Sequence, residues 1–290
     1  MTHDPGPTVR RRQLGKELRR LRENAGKTIT EAAVWVGIKP PTVSKIENGR
    51  QAIRPTNVRL LLQLYGVEAP DADTLIRLAG EVNQRGWWAS YGDTVPDWFR
   101  NFVGLEADAS EINGYESELV PGQLQTAEYA KAVMVATRQE STEDELQRLV
   151  TFRRERQERL TGNTPPRLHF VLNEAVVRRP VGGAEAFGKQ LDYLAEIAEL
   201  PHIDIQVLPY SAGPHATMGQ TFTMLRFPGD EAGLDFVYLE NDRGALYLER
   251  PADVQRYQTI FTQLATAALD SSETRKFLAT VSRELTGERE

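Results

Sequence analysis

The chain has 290 residues, 40% hydrophobic and 26% charged, ordinary for a globular protein and long enough to bury two separate cores. It contains no cysteine, which excludes disulfide scaffolds, cysteine-based zinc sites and thiol catalysis. No apolar run approaches the roughly 18–20 residues of a membrane span, and Met1 to Pro7 lack the apolar core of a secretory signal, so a cytoplasmic protein is expected.

The net charge of −6 is unevenly spread. Residues 1–66 hold 13 Lys+Arg against 5 Asp+Glu, a net of +8; residues 67–290 hold 22 against 36, a net of −14. A basic head on an acidic body points to a polyanion partner for the head and none for the body. Within the head, Leu14, Leu18 and Leu21 recur at helical spacing among Arg11, Arg12, Arg19, Arg20 and Arg22, which predicts a first helix over about 10–24 stopped by Gly26. Thr28-Ile29-Thr30-Glu31 is a capping box opening a short second helix, about 29–36, closed by Gly37. Proline suits the first helical position but restrains the residue before it. The Lys39-Pro40-Pro41 sequence therefore puts Pro40 at the cap of a third helix and Pro41 at its first position. Val43 and Ile46 then face inward, Thr42, Ser44, Lys45 and Asn48 face out, and Gly49 ends it. A fourth helix runs from Pro55 to a stop at Gly66, and a fifth, about 71–85, completes the bundle. Trp35, on the second helix between two valines, has two readings: packing inside its own domain, or contact with the second domain or a dimer mate.

Two short helices joined by a tight turn, the second polar on its outer face, form the helix-turn-helix pattern. Residues 14–64 resemble the XRE/Cro family of helix-turn-helix domains, on the strength of Thr28-Ile29-Thr30-Glu31-Ala32-Ala33, Gly37-Ile38 and Thr42-Val43-Ser44-Lys45-Ile46-Glu47-Asn48-Gly49-Arg50. The resemblance implies binding to double-stranded operator DNA, with bases read from the start of the third helix: here Pro40, Pro41, Thr42, Ser44 and Lys45. The family often has glutamine at the first two positions. Proline cannot make those hydrogen bonds, which leaves it thymine methyls or backbone shaping, while Lys45 can donate to guanine. Arg10, Arg11, Arg12, Thr28, Asn48, Arg50 and Arg54 are the candidates for phosphate contacts, which position without specifying. A DNA-binding protein of this kind is expected in the cytoplasm, associated with the nucleoid.

The junction Arg85-Gly86-Trp87-Trp88-Ala89-Ser90-Tyr91-Gly92 is too aromatic for a flexible linker and reads as packed; the domain boundary is drawn at 88/89. Beyond a short helix at Pro96, the 89–290 body reads as a strand at 112–120, helices at 126–137 and 142–161, a strand at 168–177 and a helix at 184–199. Four strand-like runs follow at 203–208, 221–227, 235–240 and 244–249, then closing helices at 254–269 and 273–288. The fold class is α+β overall: an all-α five-helix head, then an α+β domain with a mostly antiparallel sheet and flanking helices.

The body carries Val120-Pro121-Gly122-Gln123-Leu124-Gln125-Thr126-Ala127-Glu128-Tyr129-Ala130, Arg153-Arg154-Glu155-Arg156-Gln157, Asn173-Glu174-Ala175 and Gln206-Val207-Leu208-Pro209-Tyr210. With these motifs in order it resembles the WhiJ-like, antitoxin-like regulators of actinobacteria. Gln123 departs from the family's usual leucine. The resemblance implies transcriptional control and a small protein partner of the BldB-like type.

No enzyme is expected. His3, His169, His202 and His215 have no metal-ligand spacing, there is no Walker loop or nucleophile elbow, and Gly182-Gly183 reads as a turn before a helix. Glu174 and Glu240, on expected strands, read as paired structural carboxylates. No cofactor is implied. The body is expected to join a homodimer and to receive either a small protein or a small molecule. Aromatic residues near Tyr210, Phe222 and Tyr238 would line a pocket in the second case and form core in the first.

Overall fold

A computed structural model describes residues 7–69, 71–81, 87–91, 94–137, 141–227, 234–241 and 243–286. By packing, the chain divides into two compact units: Met1–Gly92 with Arg100–Asp108 and Pro228–Leu234, and Asp93–Phe99 with Ala109–Phe227 and Asp235–Glu290. The boundary read from the sequence is instead a single cut at 88/89.

The first unit is built on helices α1 (Pro7–Asn24), α2 (Ile29–Val36), α3 (Pro40–Glu47), α4 (Pro55–Tyr65) and α5 (Asp71–Glu81). Its core collects Leu14 and Leu18 of α1, Ala32 and Ala33 of α2, Val43 and Ile46 of α3, and Val58, Leu61 and Leu62 of α4. The boundaries have local causes. Thr28 Oγ1 accepts from the Glu31 N–H at 3.1 Å while Glu31 accepts from the Thr28 N–H at 2.8 Å, which closes the capping box. Gly37 and Gly66 end α2 and α4 in the left-handed region. Pro40 is not the cap, as the spacing predicts, but the first residue of α3; Lys39, extended, is the cap and Pro41 comes second. Both prolines sit where a helix has unused N–H groups, so neither removes a hydrogen bond. The fifth helix is described only to Glu81; the rest of its expected span lies outside the described residues.

In the second unit a six-stranded sheet has the order β3-β2-β1-β4-β5-β6. The strands are β1 (Glu111–Glu116), β2 (Arg167–Asn173), β3 (Ile203–Leu208), β4 (Phe222–Arg226), β5 (Phe236–Asn241) and β6 (Gly244–Leu248). The pairings β1–β4, β4–β5 and β5–β6 are antiparallel, and β1–β2 and β2–β3 are parallel. The α+β class and the mostly antiparallel sheet are as the sequence leads one to expect. The parallel pairings come from helical crossovers: α7 (Ala127–Thr137) and α8 (Glu143–Gln157) between β1 and β2, α9 (Glu174–Arg178) and α10 (Gly183–Ile197) between β2 and β3. α6 (Asp97–Glu106) precedes β1 in the chain, and its residues from Arg100 onward belong to the first unit. α11 (Pro251–Ala267) and α12 (Ser271–Thr286) close the chain, and Phe261 and Leu264 of α11 pack with Tyr115, Val171, Phe222, Met224 and Val237 of the sheet.

One expected strand is corrected. The run 168–177 leaves the sheet at Asn173, whose Oδ1 accepts from the Ala175 N–H at 3.0 Å and so starts α9. Apolar residues at 175–177 cannot separate a strand end from one helical turn, but an Asn cap can. Glu174 thus lies on α9, where it pairs with Arg178 at 2.6 Å and accepts from the Tyr210 N–H at 2.8 Å. Glu240 is on β5 and accepts from the Tyr238 hydroxyl. The first expected strand also stops earlier, at Glu116.

Candidate nucleic-acid interface

The outer side of α3 is set by its buried side. Val43, Ile46 and Glu47 point into the first unit, which leaves Pro40, Pro41, Lys45 and Asn48 exposed and Thr42 and Ser44 half-buried. α1 holds this helix at close range. A Cβ on Gly15 would lie 2.4 Å from the Ile46 carbonyl oxygen, and one on Gly49 would lie 2.6 Å from Arg12 Cγ. Gly49 also adopts φ +66°, which an L side chain resists.

The strongest clamp is an ion pair that the sequence reading misses. Arg22 Nε and NH2 meet the two carboxylate oxygens of Glu47 at 2.6 and 2.9 Å, and Arg22 NH1 donates to the Lys27 carbonyl at 2.9 Å. Both side chains are below 10% exposed, 9% for Arg22 and 5% for Glu47. The paired geometry joins the last turn of α1 to the last turn of α3, and it raises the Arg22 pKa through the bond to Glu47. Beside it, the Tyr65 hydroxyl is buried without a hydrogen-bond partner; burial first, then the Glu47 carboxylate, push its pKa up. Two signals in the sequence point to this pair. Arg22 lies four residues after Leu18 on the buried stripe of α1, and Glu47 four after Val43 on that of α3.

The expected contact residues divide into two sets. Lys45, Arg50 and Arg54 are exposed and, with Lys39, form no ion pair among the described residues. On α1, by contrast, Arg19 and Arg20 are taken up by Glu23 and Glu17. Positive charge is thus unneutralised around α3 and locally cancelled on part of α1. Arg10 and Arg11 are half-buried, and burial lowers the Arg11 pKa. Arg12 is corrected as a phosphate contact: it is 5% exposed and lies against Gly49. Its place on the α1–α3 contact takes it off the surface. Thr28 is exposed with its hydroxyl committed to the capping box, and Asn48 folds its side-chain amide back to donate to the Ser44 carbonyl at 2.8 Å. Trp35 donates its indole N–H to the Leu60 carbonyl on α4 at 2.9 Å, a contact inside its own unit, and remains 53% exposed next to Val34.

In the second unit, two of the motifs noted above form one brace. Gln125 donates to the Val120 carbonyl at 2.7 Å and accepts from Arg153 at 3.1 Å, and Gln157 donates to the Gln125 carbonyl. Gln190 of α10 donates to the Leu124 carbonyl and accepts from the Thr126 N–H, each at 2.7 Å. The stretch from Val120 to Thr126, ahead of α7, has backbone groups held by side-chain amides, a structural use of the motif. The aromatic residues expected near a pocket are split: Phe222 and Tyr238 are buried, and Tyr210 is 60% exposed.

Residues 13–75 match the family model described as Helix-turn-helix domain. The first unit is accordingly the DNA-binding part of a helix-turn-helix regulator. Residues 99–280 match the model described as Domain of unknown function (DUF5753), which spans more than half of the chain, and the protein belongs to that family. No curated protein and no solved structure matches the chain. Among the described residues no helix is long and apolar enough to cross a membrane.

Proposed function

We propose that the protein is a sequence-specific transcriptional regulator of the XRE/Cro type. It works without catalysis, in the cytoplasm on nucleoid DNA, and reads a two-fold operator as a homodimer. The observation that carries this reading is the set of unpaired cations Lys39, Lys45, Arg50 and Arg54 on and beside α3, in an otherwise acidic protein. Lys45, Ser44 and Thr42 read bases in the major groove, and Arg50 and Arg54 hold phosphates. Selection of binding sequences from a random duplex library tests it. An enriched motif with two half-sites about one DNA turn apart is the expected result; a library that stays random after selection overturns it.

The second unit is the regulatory and dimerising part in this reading, in the manner of the WhiJ-like antitoxin-like regulators, with a small BldB-like protein as the partner. Exposed Tyr210, Met218 and Leu246 support a protein contact there. Control by a small molecule is a second reading, favoured by an open polar groove in the same unit. Light scattering on the DNA-free protein tests the dimer; a monomer that protects a single half-site is the contrary outcome.

A further inference from the structure

The sheet face beneath α11 changes character along its parallel strands. Registered neighbours on adjacent strands point to the same side of a sheet. One such row is Phe222, Tyr115, Val171 and Gln206. Two residues earlier on β1 the row reads Met224, Asn113, His169 and Asp204, and two earlier again it reads Arg226, Glu111 and Arg167. Core thus gives way to polar side chains over two successive rows: Asn113 is buried beside Met224, His169, Asp204, Glu111 and Arg226 are half-buried, and Arg167 is exposed. A groove of about 800 Å³ opens there, between the first residues of β1, β2 and β3, the 198–202 turn and α11. That is the size of small-molecule sites.

The hydrogen bonds fix what the groove offers. Gln206 Nε2 donates to the Ala265 and Leu269 carbonyls at 3.2 and 2.9 Å, so its Oε1 must accept, and it accepts from His169 Nε2 at 2.7 Å. A neutral His169 therefore carries its hydrogen on Nε2 and keeps Nδ1 as an acceptor. Ser271 donates to Asp204 Oδ1 at 2.8 Å, which leaves Oδ2 for another donor. Glu111 is already used: Asn113 donates to it, and it lies 3.9 Å from Arg226, which in turn donates to Gln258. Arg167 is exposed on the groove and forms no ion pair among the described residues. The groove thus presents one uncommitted guanidinium and, among the described residues, two carboxylates outside any Arg or Lys pair: Asp204, held by Ser271 and 3.5 Å from His169, and the exposed Glu199 on the 198–202 turn. Arg167 and Asp204 stand on adjacent strands two residues out of register, about 8 Å apart along the backbone.

We propose that this groove binds a small zwitterion of the α-amino acid class, its carboxylate on Arg167, its ammonium on Asp204, and its side chain along α11 beside Phe261 and Ala265. The inference stands on the second unit alone and needs no DNA. It is tested on the full-length protein with the twenty L-amino acids, one at a time at millimolar concentration, by thermal shift and then calorimetry. At least one should raise the melting temperature, while its N-acetyl and carboxamide derivatives, each lacking one charge, should not. Arg167→Gln and Asp204→Asn, both at exposed or part-exposed positions, should each weaken binding at least tenfold, and Glu185→Gln, on the exposed surface of α10, should leave it unchanged. No shift from any amino acid, equal shifts from the blocked derivatives, or unchanged affinity in both groove variants would overturn it. DNA binding measured without amino acid separates this result from the proposed function, since either can fail while the other holds.

Discussion

Truncating Glu47 to alanine tests whether the Arg22–Glu47 pair holds the recognition helix. Glu47→Ala removes both carboxylate contacts and leaves the Arg22 guanidinium at 9% exposure with the Lys27 carbonyl as its remaining hydrogen-bond acceptor. Glu23 lies 3.6 Å from Arg22 but is half exposed and compensates only part of the charge, so the loss should approach the about 3–5 kcal/mol of breaking a buried pair, a large share of the roughly 5–15 kcal/mol that stabilises a domain. Replacing both partners, as in Arg22→Met with Glu47→Leu, removes the charge together with its partner, so the double variant should lose far less than the two single losses added. Hydrogen exchange in the full-length protein gives the local readout, because peptides from α1 and α3 report opening of this contact. A loss of 3 kcal/mol corresponds to roughly a hundredfold faster exchange. If Glu47→Ala exchanged within about threefold of the parent, or if the double variant exchanged as fast as the summed singles require, the pair would not be the clamp.

Lys45→Ala should cost roughly 1–3 kcal/mol on the selected operator and little on random duplex, whereas Arg50→Ala should weaken both alike and reduce the salt slope by about one; fluorescence anisotropy across a salt series reads both. Gly49→Ala should destabilise the first unit by more than about 2 kcal/mol, combining left-handed strain with the 2.6 Å approach to Arg12, while Gly26→Ala, at φ +63° with open space around it, should cost only the strain of about 1–2 kcal/mol; exchange of α1 and α3 peptides compares them. Burial and the neighbouring Glu240 push the Glu116 carboxyl up to about 8, so the folded state holds a proton that the unfolded state releases, and stability falls as pH rises from about 4.5 to 8. Glu116→Gln should therefore melt several degrees above the parent at pH 8 and close to it at pH 4.5; equal differences at both pH values would count against this cause.

The parts of the fold that were legible in the sequence are those with a local cause. The Thr28–Glu31 box, the stops at Gly37 and Gly66, and the strand-like runs of β3 to β6 are each decided by residues within one turn or one strand. Strand neighbours are decided otherwise. β1 pairs with β2 across two helices and with β4 across half the unit, and both pairings depend on where α11 lays its apolar side. The interface shows the same division. Lys45, Arg50 and Arg54 are exposed, as their positions around Val43 and Ile46 require. Arg12 looks like its neighbours in sequence but meets α3 at Gly49, and only the three-dimensional contact distinguishes it. The polar rows beneath α11 are also long-range, since Asn113, His169 and Asp204 are scattered in sequence and come together only through register.

The proline pair at the start of α3 constrains how such a helix can read DNA. A helix N-terminus ordinarily offers free N–H groups to an anion. Here Pro40 and Pro41 have none, and the Thr42 N–H is spent on the Lys39 carbonyl at 2.8 Å. The first turn can therefore approach the groove with its ring faces but cannot grip a phosphate or a base edge through its backbone. In the proposed function the directional contacts come from Thr42, Ser44 and Lys45, and two of those are short, half-buried hydroxyl side chains. Three side chains of that size discriminate few base pairs, each worth about 1–3 kcal/mol against a mismatch. A genome's million or more competing sites demand more than that. In the proposed homodimer a second copy of α3, held at a fixed spacing, would supply it, and the rigidity of the α1–α3 contact would then be a condition for reading sequence as well as for stability. A loosened α3 would lose the operator preference before it lost affinity for duplex DNA, because Arg50 and Arg54 lie outside the helix and keep their charge whether or not it is held.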